Sequence, residues 1–163
     1  MSNSIRELEG AKLLLVVGSN TTETHPVIAL RIKKAVRSGA RLIVVDPRRI
    51  ELANIAHRWL RLRLGTDIAL FNAMAHVIIQ EGLYNAPFVG QHVEGFEELK
   101  RHLQRYTPDY AASITGVPAH DIVETAREYA AASRAAIVFT LGVTEHSCGT
   151  HNVQALSNLA LLC

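Results

Sequence analysis

Cysteine is nearly absent from this chain: Cys148 and Cys163 are the only two in 163 residues. Two thiols make no disulfide framework, so a reducing cytoplasm is the expected compartment, although a protein exported folded inside a larger complex would look the same. No apolar run approaches the roughly 18 residues that a membrane span needs, so direct membrane insertion is not expected. The opening residues Met1-Ser2-Asn3-Ser4 lack the charged-then-apolar layout of a signal peptide. Aromatic residues are scarce, at 6%, and the net charge is only +2. Without a basic stripe interleaved with aromatics, nucleic acid is not an expected partner. There is also no Gly-x-Gly-x-x-Gly, no Walker A Lys-Ser/Thr, no internal repeat and no low-complexity tract.

What is present is an ordinary α/β composition, 48% hydrophobic and 20% charged, in a length suited to one domain or one lobe of a larger protein. Lys12 to Val17 is a short continuous apolar run, which suits a strand buried on both faces. Gly18 to Thr24 reads as a polar loop. Pro26 opens a helix with Ile28, Ile32, Ala35 and Val36 on one face, and Gly39 follows as a C′ glycine. Leu42 to Val45 is a second buried strand, ended by Asp46-Pro47. That strand–helix–strand order implies a parallel pair with a right-handed crossover. Glu51 to Ala56 predicts a short helix, and Trp59 to Leu64 a third, half-exposed strand. A long apolar helix is expected from about Ile68 to Glu81, stopped by Gly82. Two or three short helices should follow over 85–115, broken at Gly95 and Pro108. Pro118 starts another, with Ile122, Ala126, Tyr129 and Ala130 sharing a face. Ala136 to Leu141 predicts a strand, Gly142 to Gly149 a polar loop, and Asn152 onward a final helix. That helix reaches Cys163 in mid-pattern, so its apolar face is expected to be partly bare and to promote self-association. The expected fold is an α/β, Rossmann-like parallel sheet with flanking helices, forming a single lobe over residues 1–163.

In open α/β sheets, ligands bind beyond the carboxyl ends of the strands. Four segments follow candidate strands: Gly18-Ser19-Asn20, Asp46-Pro47-Arg48-Arg49, Gly65-Thr66-Asp67, and Leu141-Gly142-Val143-Thr144-Glu145-His146. Gly18 allows a close backbone approach. Ser19 and Asn20 precede a helix N-terminus, where partial positive charge favours phosphate. Asp46 is placed like the acidic residue that holds a ribose. Arg48 or Arg49 can pair a phosphate bidentately. Asp67 can accept from both N1–H and N2–H of guanine. The same residue types also favour ordinary turns for local reasons, and that reading stays open at this point.

The segments in series carry a resemblance. Val17-Gly18-Ser19-Asn20-Thr21-Thr22-Glu23-Thr24-His25-Pro26 resembles the part of formate dehydrogenase catalytic subunits that touches one of two molybdopterin guanine dinucleotides. Leu42-Ile43-Val44-Val45-Asp46-Pro47-Arg48-Arg49 is similar to the next strand and loop of that family. Leu64-Gly65-Thr66-Asp67-Ile68-Ala69-Leu70-Phe71-Asn72-Ala73-Met74 and Gly142-Val143-Thr144-Glu145-His146 match two further segments. Order and spacing agree from about Ala11 to Leu162. The set is specific to the molybdopterin oxidoreductase superfamily, a plan that nitrate reductases and a subunit of respiratory complex I share. The resemblance implies that Gly18, Ser19 and Asn20 contact phosphates and ribose of one dinucleotide, that Asp46, Pro47 and Arg48 line its nucleoside, and that Gly65 and Asp67 hold its guanine. Leu141, Gly142 and Glu145 would lie nearer the pterin. It also implies a larger multidomain enzyme that oxidises formate at molybdenum or tungsten and passes electrons through an iron–sulfur cluster to electron-transfer subunits. The cluster module, the metal-ligating cysteine or selenocysteine and the second half-site are expected in other parts of that enzyme, with this chain an internal and inactive piece. Rival readings are a stand-alone nucleotide-binding module and an interaction segment with no ligand of its own.

Several residues invite a different reading. His146, Cys148 and His151 form His-x-Cys-x-x-His, but three ligands without a fourth fall short of structural zinc spacings. Cys148 reads as a loop or core thiol. His25 is a candidate helix cap or ligand contact. His76 reads as a satisfied core histidine. Arg58, Arg61 and Arg63 alternate as on a solvated sheet edge.

Overall fold

The computed structural model describes residues 3–163; the reading of Met1 and Ser2 lies outside the described residues. Four strands form one sheet: β1 (Leu13–Val17), β2 (Arg41–Val45), β3 (Arg58–Leu60) and β4 (Ala135–Phe139), in the order β3-β2-β1-β4. All neighbours are parallel, which is the α/β, Rossmann-like arrangement that the strand–helix alternation predicts. Contacts divide the chain into two compact units, one running through Arg61 and including Ala132–Val143, the other comprising Leu62–Ala131 and Thr144–Cys163.

The first unit holds the sheet. Val17 lies opposite both Val45 and Phe139, and Val45 lies opposite Leu60. All four strands therefore end at one level, and the segments after them leave from one edge. Every residue of β1 is buried, as its unbroken apolar run requires. Leu14, Val16, Leu42 and Val44 alternate onto one face. There they meet Ile32 and Ala35 of helix α2 (Pro26–Arg37), and Leu52 of a 3₁₀ turn at Glu51–Asn54. Each buried Leu, Ile or Val there contributes about 1.5–3 kcal/mol by leaving water. Pro26 is at the start of α2 as expected, and Gly39 just past its end adopts φ +95°. Glu9, on a 3₁₀ segment at Ile5–Gly10, pairs with Arg31 and, at 2.6 Å, with Lys34 of that helix.

Some expected boundaries differ here; the short helix of Glu51 to Ala56, for one, is a 3₁₀ turn ending at Asn54. Thr21–Thr24 is a one-turn helix, α1, rather than loop, because the Asn20 carbonyl accepts from the N–H groups of Glu23 and Thr24. The third strand stops at Leu60 rather than Leu64: β2 ends at Val45, so the ladder has no partner further on. The fourth strand runs Ala135–Phe139 rather than Ala136–Leu141, and Leu141 instead opens a single helical turn, Leu141–Thr144.

The second unit is helical. Helix α3 (Asp67–Gln80) is buried over almost its whole circumference, as its near-continuous apolar sequence implies. Three short helices follow, α4 (Ala86–His92), α5 (Phe96–Leu103) and α6 (Pro108–Thr115), with breaks at Gly95 and Pro108. Asn85 and Thr107 cap α4 and α6 by accepting from the Phe88 and Tyr110 N–H groups, each at 3.2 Å. Next come α7 (Ala119–Ala131) and the last helix, α9 (Gly149–Leu162), with the 141–144 turn between them as α8. The last helix starts three residues before the expected Asn152. Its apolar side is not bare: Leu156, Leu159 and Leu162 are buried, in a helix that packs on α3. Only Leu161 among its large apolar residues is substantially exposed. Arg63 is exposed, as expected, but lies beyond the end of β3 and is tied to α6. Its Nη1 donates to the Ser113 and Ile114 carbonyls at 2.9 and 3.1 Å, closing the C-terminus of α6. His76 Nδ1–H donates to the Leu103 carbonyl at 3.0 Å, the satisfied core role expected of it.

Candidate functional site

At the carboxyl edge of the sheet, Gly18 leaves β1 with φ +51°. Its N–H donates to the Val45 carbonyl at 2.9 Å, so the chain crosses toward β2. Its own carbonyl accepts from Gly142 N–H at 3.1 Å and from Thr140 Oγ1 at 3.0 Å. The two glycine backbones touch. A Cβ on Gly18 would lie 2.7 Å from the Gly142 carbonyl carbon, and one on Gly142 would lie 2.5 Å from the Gly18 oxygen. The close approach that Gly18 permits is thus made by the chain itself.

Ser19 is buried at 1% exposure, and its hydroxyl meets Thr21 Oγ1 at 3.0 Å. Asn20 remains half-buried at the start of α1, with no side-chain capping bond. The neighbouring Thr22 Oγ1 is buried and the protein leaves it without a hydrogen-bond partner. His25 is exposed and makes no side-chain cap; its Nδ1 lies 2.8 Å from Thr24 Oγ1.

After β2, Asp46 is 3% exposed, and its Oδ1 accepts from the Arg48 N–H at 2.8 Å, an Asx turn. Pro47 is half-buried, whereas Arg48 and Arg49 extend into solvent. The loop is held from β3 side by side: Asp46 N–H donates to the Leu60 carbonyl at 3.3 Å, Trp59 Nε1–H to the Asp46 carbonyl at 2.8 Å, and Arg61 Nε–H to the Pro47 carbonyl at 3.3 Å. Arg61, expected on a solvated edge, is therefore part of the loop's support. Sequence reasoning passed over Thr22 and Trp59; the only signal for Trp59 was its being the single tryptophan in the chain.

Of the residues singled out from sequence, Gly18, Ser19, Asn20, Asp46, Pro47, Arg48, Leu141 and Gly142 fall in the first unit, on the segments leaving that edge. Gly65, Asp67 and Glu145 belong to the second. There Gly65 takes φ +75° with open space around it. Asp67, 6% exposed, begins α3, where a carboxylate favours the helix dipole. Glu145 is exposed. Cys148 Sγ–H donates to Asn152 Oδ1 at 3.7 Å, and among the described residues no cluster of His, Cys, Asp or Glu could hold a metal ion. Among the same residues no helix is long and apolar enough to cross a membrane.

The all-parallel order β3-β2-β1-β4 places the chain in the class of α/β, Rossmann-like folds, in which ligands bind beyond the carboxyl ends of the strands. The comparisons narrow that class. The model of the molybdopterin oxidoreductase family matches residues 1–163, and the chain belongs to that family. It is 46% identical over 162 residues to the F420-dependent formate dehydrogenase subunit alpha of Methanocaldococcus jannaschii, covering 99% of this chain and 24% of that protein. It is equally similar, at 46%, to formate dehydrogenase H of Escherichia coli, covering 99% of this chain and 23% of that protein. Among solved structures, acetylene hydratase from Pelobacter acetylenicus superposes with a TM-score of 0.89 at 34% identity, over 97% of this chain and 23% of that one. The chain thus spans about a quarter of the length of the curated relatives it matches.

Proposed function

We propose that this chain supplies one guanine-dinucleotide half-site to a molybdopterin enzyme that acts as a formate dehydrogenase. The observation that carries the reading is the carboxyl edge of the sheet. There the exposed Arg48 and Arg49, the half-buried Asn20 and the unpartnered Thr22 hydroxyl suit a phosphorylated nucleoside. The formate assignment rests on the relatives, two of which are named formate dehydrogenases and share 46% of their matched residues with this chain. A protein named acetylene hydratase shares the fold of this lobe, which supports a reaction set outside the lobe. The bound molybdenum or tungsten centre supplies two-electron redox chemistry to the whole enzyme. This chain's own part is to bind and orient. In that reading Gly18, Ser19 and Asn20 serve phosphates and ribose, and Asp46, Pro47 and Arg48 serve the nucleoside. Gly65 and Asp67 would serve the guanine, and Leu141, Gly142 and Glu145 the pterin. An iron–sulfur cluster, the remaining domains, electron-transfer subunits and a cytoplasmic setting belong to the same proposal.

The test is a ratio. Asp67 can accept from N1–H and N2–H of guanine, whereas adenine presents an N1 acceptor to a carboxylate. Hydrogen bonds to a charged group contribute about 1.5–3 kcal/mol each. Calorimetric titration should therefore show GDP binding more tightly than ADP, and Asp67→Ala should collapse the difference while the fold remains. Equal binding of the two by the unmodified chain, or preference for ADP, would sink the guanine assignment and favour an ordinary nucleotide-binding module.

A further inference from the structure

We infer that Trp59 is the positioning residue of the Asp46–Arg49 loop, holding the loop in its ligand-ready shape through the indole N–H and ring face. The inference rests on the reading of that loop as the nucleoside wall.

Trp59 lies on the edge strand β3. One side of its chemistry is apolar: the residue packs against the cluster formed by Leu42, Val44, Ile50 and Leu52. The other side is polar. Its Nε1–H donates to the Asp46 carbonyl at 2.8 Å, and the Arg49 guanidinium stands 5.9 Å from the ring centroid, over the indole. A single anchored side chain thus contacts the first and last residues of a four-residue turn. Between them, Asp46 Oδ1 accepts from the Arg48 N–H at 2.8 Å. Rotating the Asp46 peptide would break the indole bond and misplace that carboxylate together. Leu60 and Arg61 add two further bonds to the same loop, but through a backbone carbonyl and an exposed side chain. Of the three, Trp59 is the one whose hydrogen-bonding side chain also packs against the buried cluster. The ring also restrains Arg49, one of the cations offered to phosphate, and lowers the entropy lost when that side chain is ordered by a ligand.

Trp59→Phe keeps the apolar ring and removes the donor; Trp59→His keeps a ring N–H. In a ¹⁵N-labelled sample of the chain, the Arg48 amide of W59F should exchange with solvent about tenfold faster, as a local opening would cause. The Leu15 and Ile43 amides should be unchanged, and W59H should restore part of the protection. The GDP dissociation constant of W59F should rise about three- to tenfold, the effect of one lost hydrogen bond. Unchanged Arg48 exchange, or unchanged GDP affinity in a variant that has lost Arg48 protection, would overturn the inference. Should W59F not fold, slow solvent exchange of the Trp59 indole N–H in the unmodified chain supports the bond and rapid exchange overturns it. Failure of the unmodified chain to bind GDP would count against the half-site reading alone, since the exchange data decide the role of Trp59 without ligand.

Discussion

Gly18 and Gly142 meet backbone to backbone where β1 and β4 end: the Gly142 N–H donates to the Gly18 carbonyl at 3.1 Å, and neither residue has space for a Cβ. The contact ties two loops separated by more than a hundred residues of chain into one surface. Neither glycine belongs to a repeated glycine motif, and the reason for each is the other.

Gly142→Ala should therefore destabilise the chain by about 1–3 kcal/mol, the usual cost of overpacking. Gly18→Ala should cost about 1–2 kcal/mol more, because its φ of +51° is unfavourable for any L side chain. The double variant should cost less than the sum, since both methyls relieve the same contact by separating the same two segments. Urea unfolding followed by circular dichroism measures all three; single variants within 0.5 kcal/mol (~the surface-substitution range) of the parent would refute the crossing.

Thr125 of α7 is fully buried, and its hydroxyl has no hydrogen-bond partner. A buried unsatisfied hydroxyl costs about 1–3 kcal/mol, and valine has nearly the same shape without it. Thr125→Val is expected to raise the urea midpoint, by about 1 kcal/mol in stability. A lower midpoint would mean that the hydroxyl is satisfied in solution.

Acid should weaken the second unit through Glu81. Arg127 donates to it twice, at 2.8 and 2.9 Å, and these hydrogen bonds hold its carboxyl below the usual glutamate range. A lowered folded-state value means that the contribution is complete above the unfolded value of about 4.3 and is lost as pH falls through the folded one. Stability of the parent relative to Glu81→Gln should be constant near neutrality and decline below that point. Added salt should reduce the difference, because the pair is open to solvent. A difference that grows on acidification would contradict the sign.

The strands were legible wherever burial was two-sided: Leu13–Val17 and Leu42–Val45 carry unbroken apolar runs because both sheet faces are covered. Their partners at the edges were not. Arg58–Leu60 and Ala135–Phe139 lie at the two ends of the sheet, where register with β1 and β2, rather than local pattern, decides their length. Asp46 was legible as a strand-tip carboxylate, but its use of Oδ1 to close its own turn was not. Ser19 was legible as a polar residue ahead of a helix, but the contact of its buried hydroxyl with Thr21 was not, since side-chain direction after a strand is set by the helical turn that follows. The apolar stripe of α9 predicts a partly bare face and the structure covers it, because periodicity shows that a helix has an apolar side and cannot show what covers it.

Asp46 offers the sharpest test of the loop after β2. Its carboxylate is buried and spends Oδ1 on the Arg48 N–H, so its effect on a ligand should come through loop shape and charge rather than through the base. Asp46→Asn keeps a side-chain carbonyl at the same place and should preserve the Asx turn. Asp46→Ala removes the acceptor and should free Arg48. For both GDP and ADP, affinity should fall in the order parent, D46N, D46A, with D46A weaker by about tenfold, as expected from a lost hydrogen bond to a charged group. The GDP-to-ADP ratio should stay constant through the series, in contrast to the collapse expected for Asp67→Ala. Calorimetry on the three proteins with both nucleotides gives the answer. A changed ratio in D46A would mean that the loop reads the base, and unchanged affinity for both nucleotides would remove Asp46 from the site.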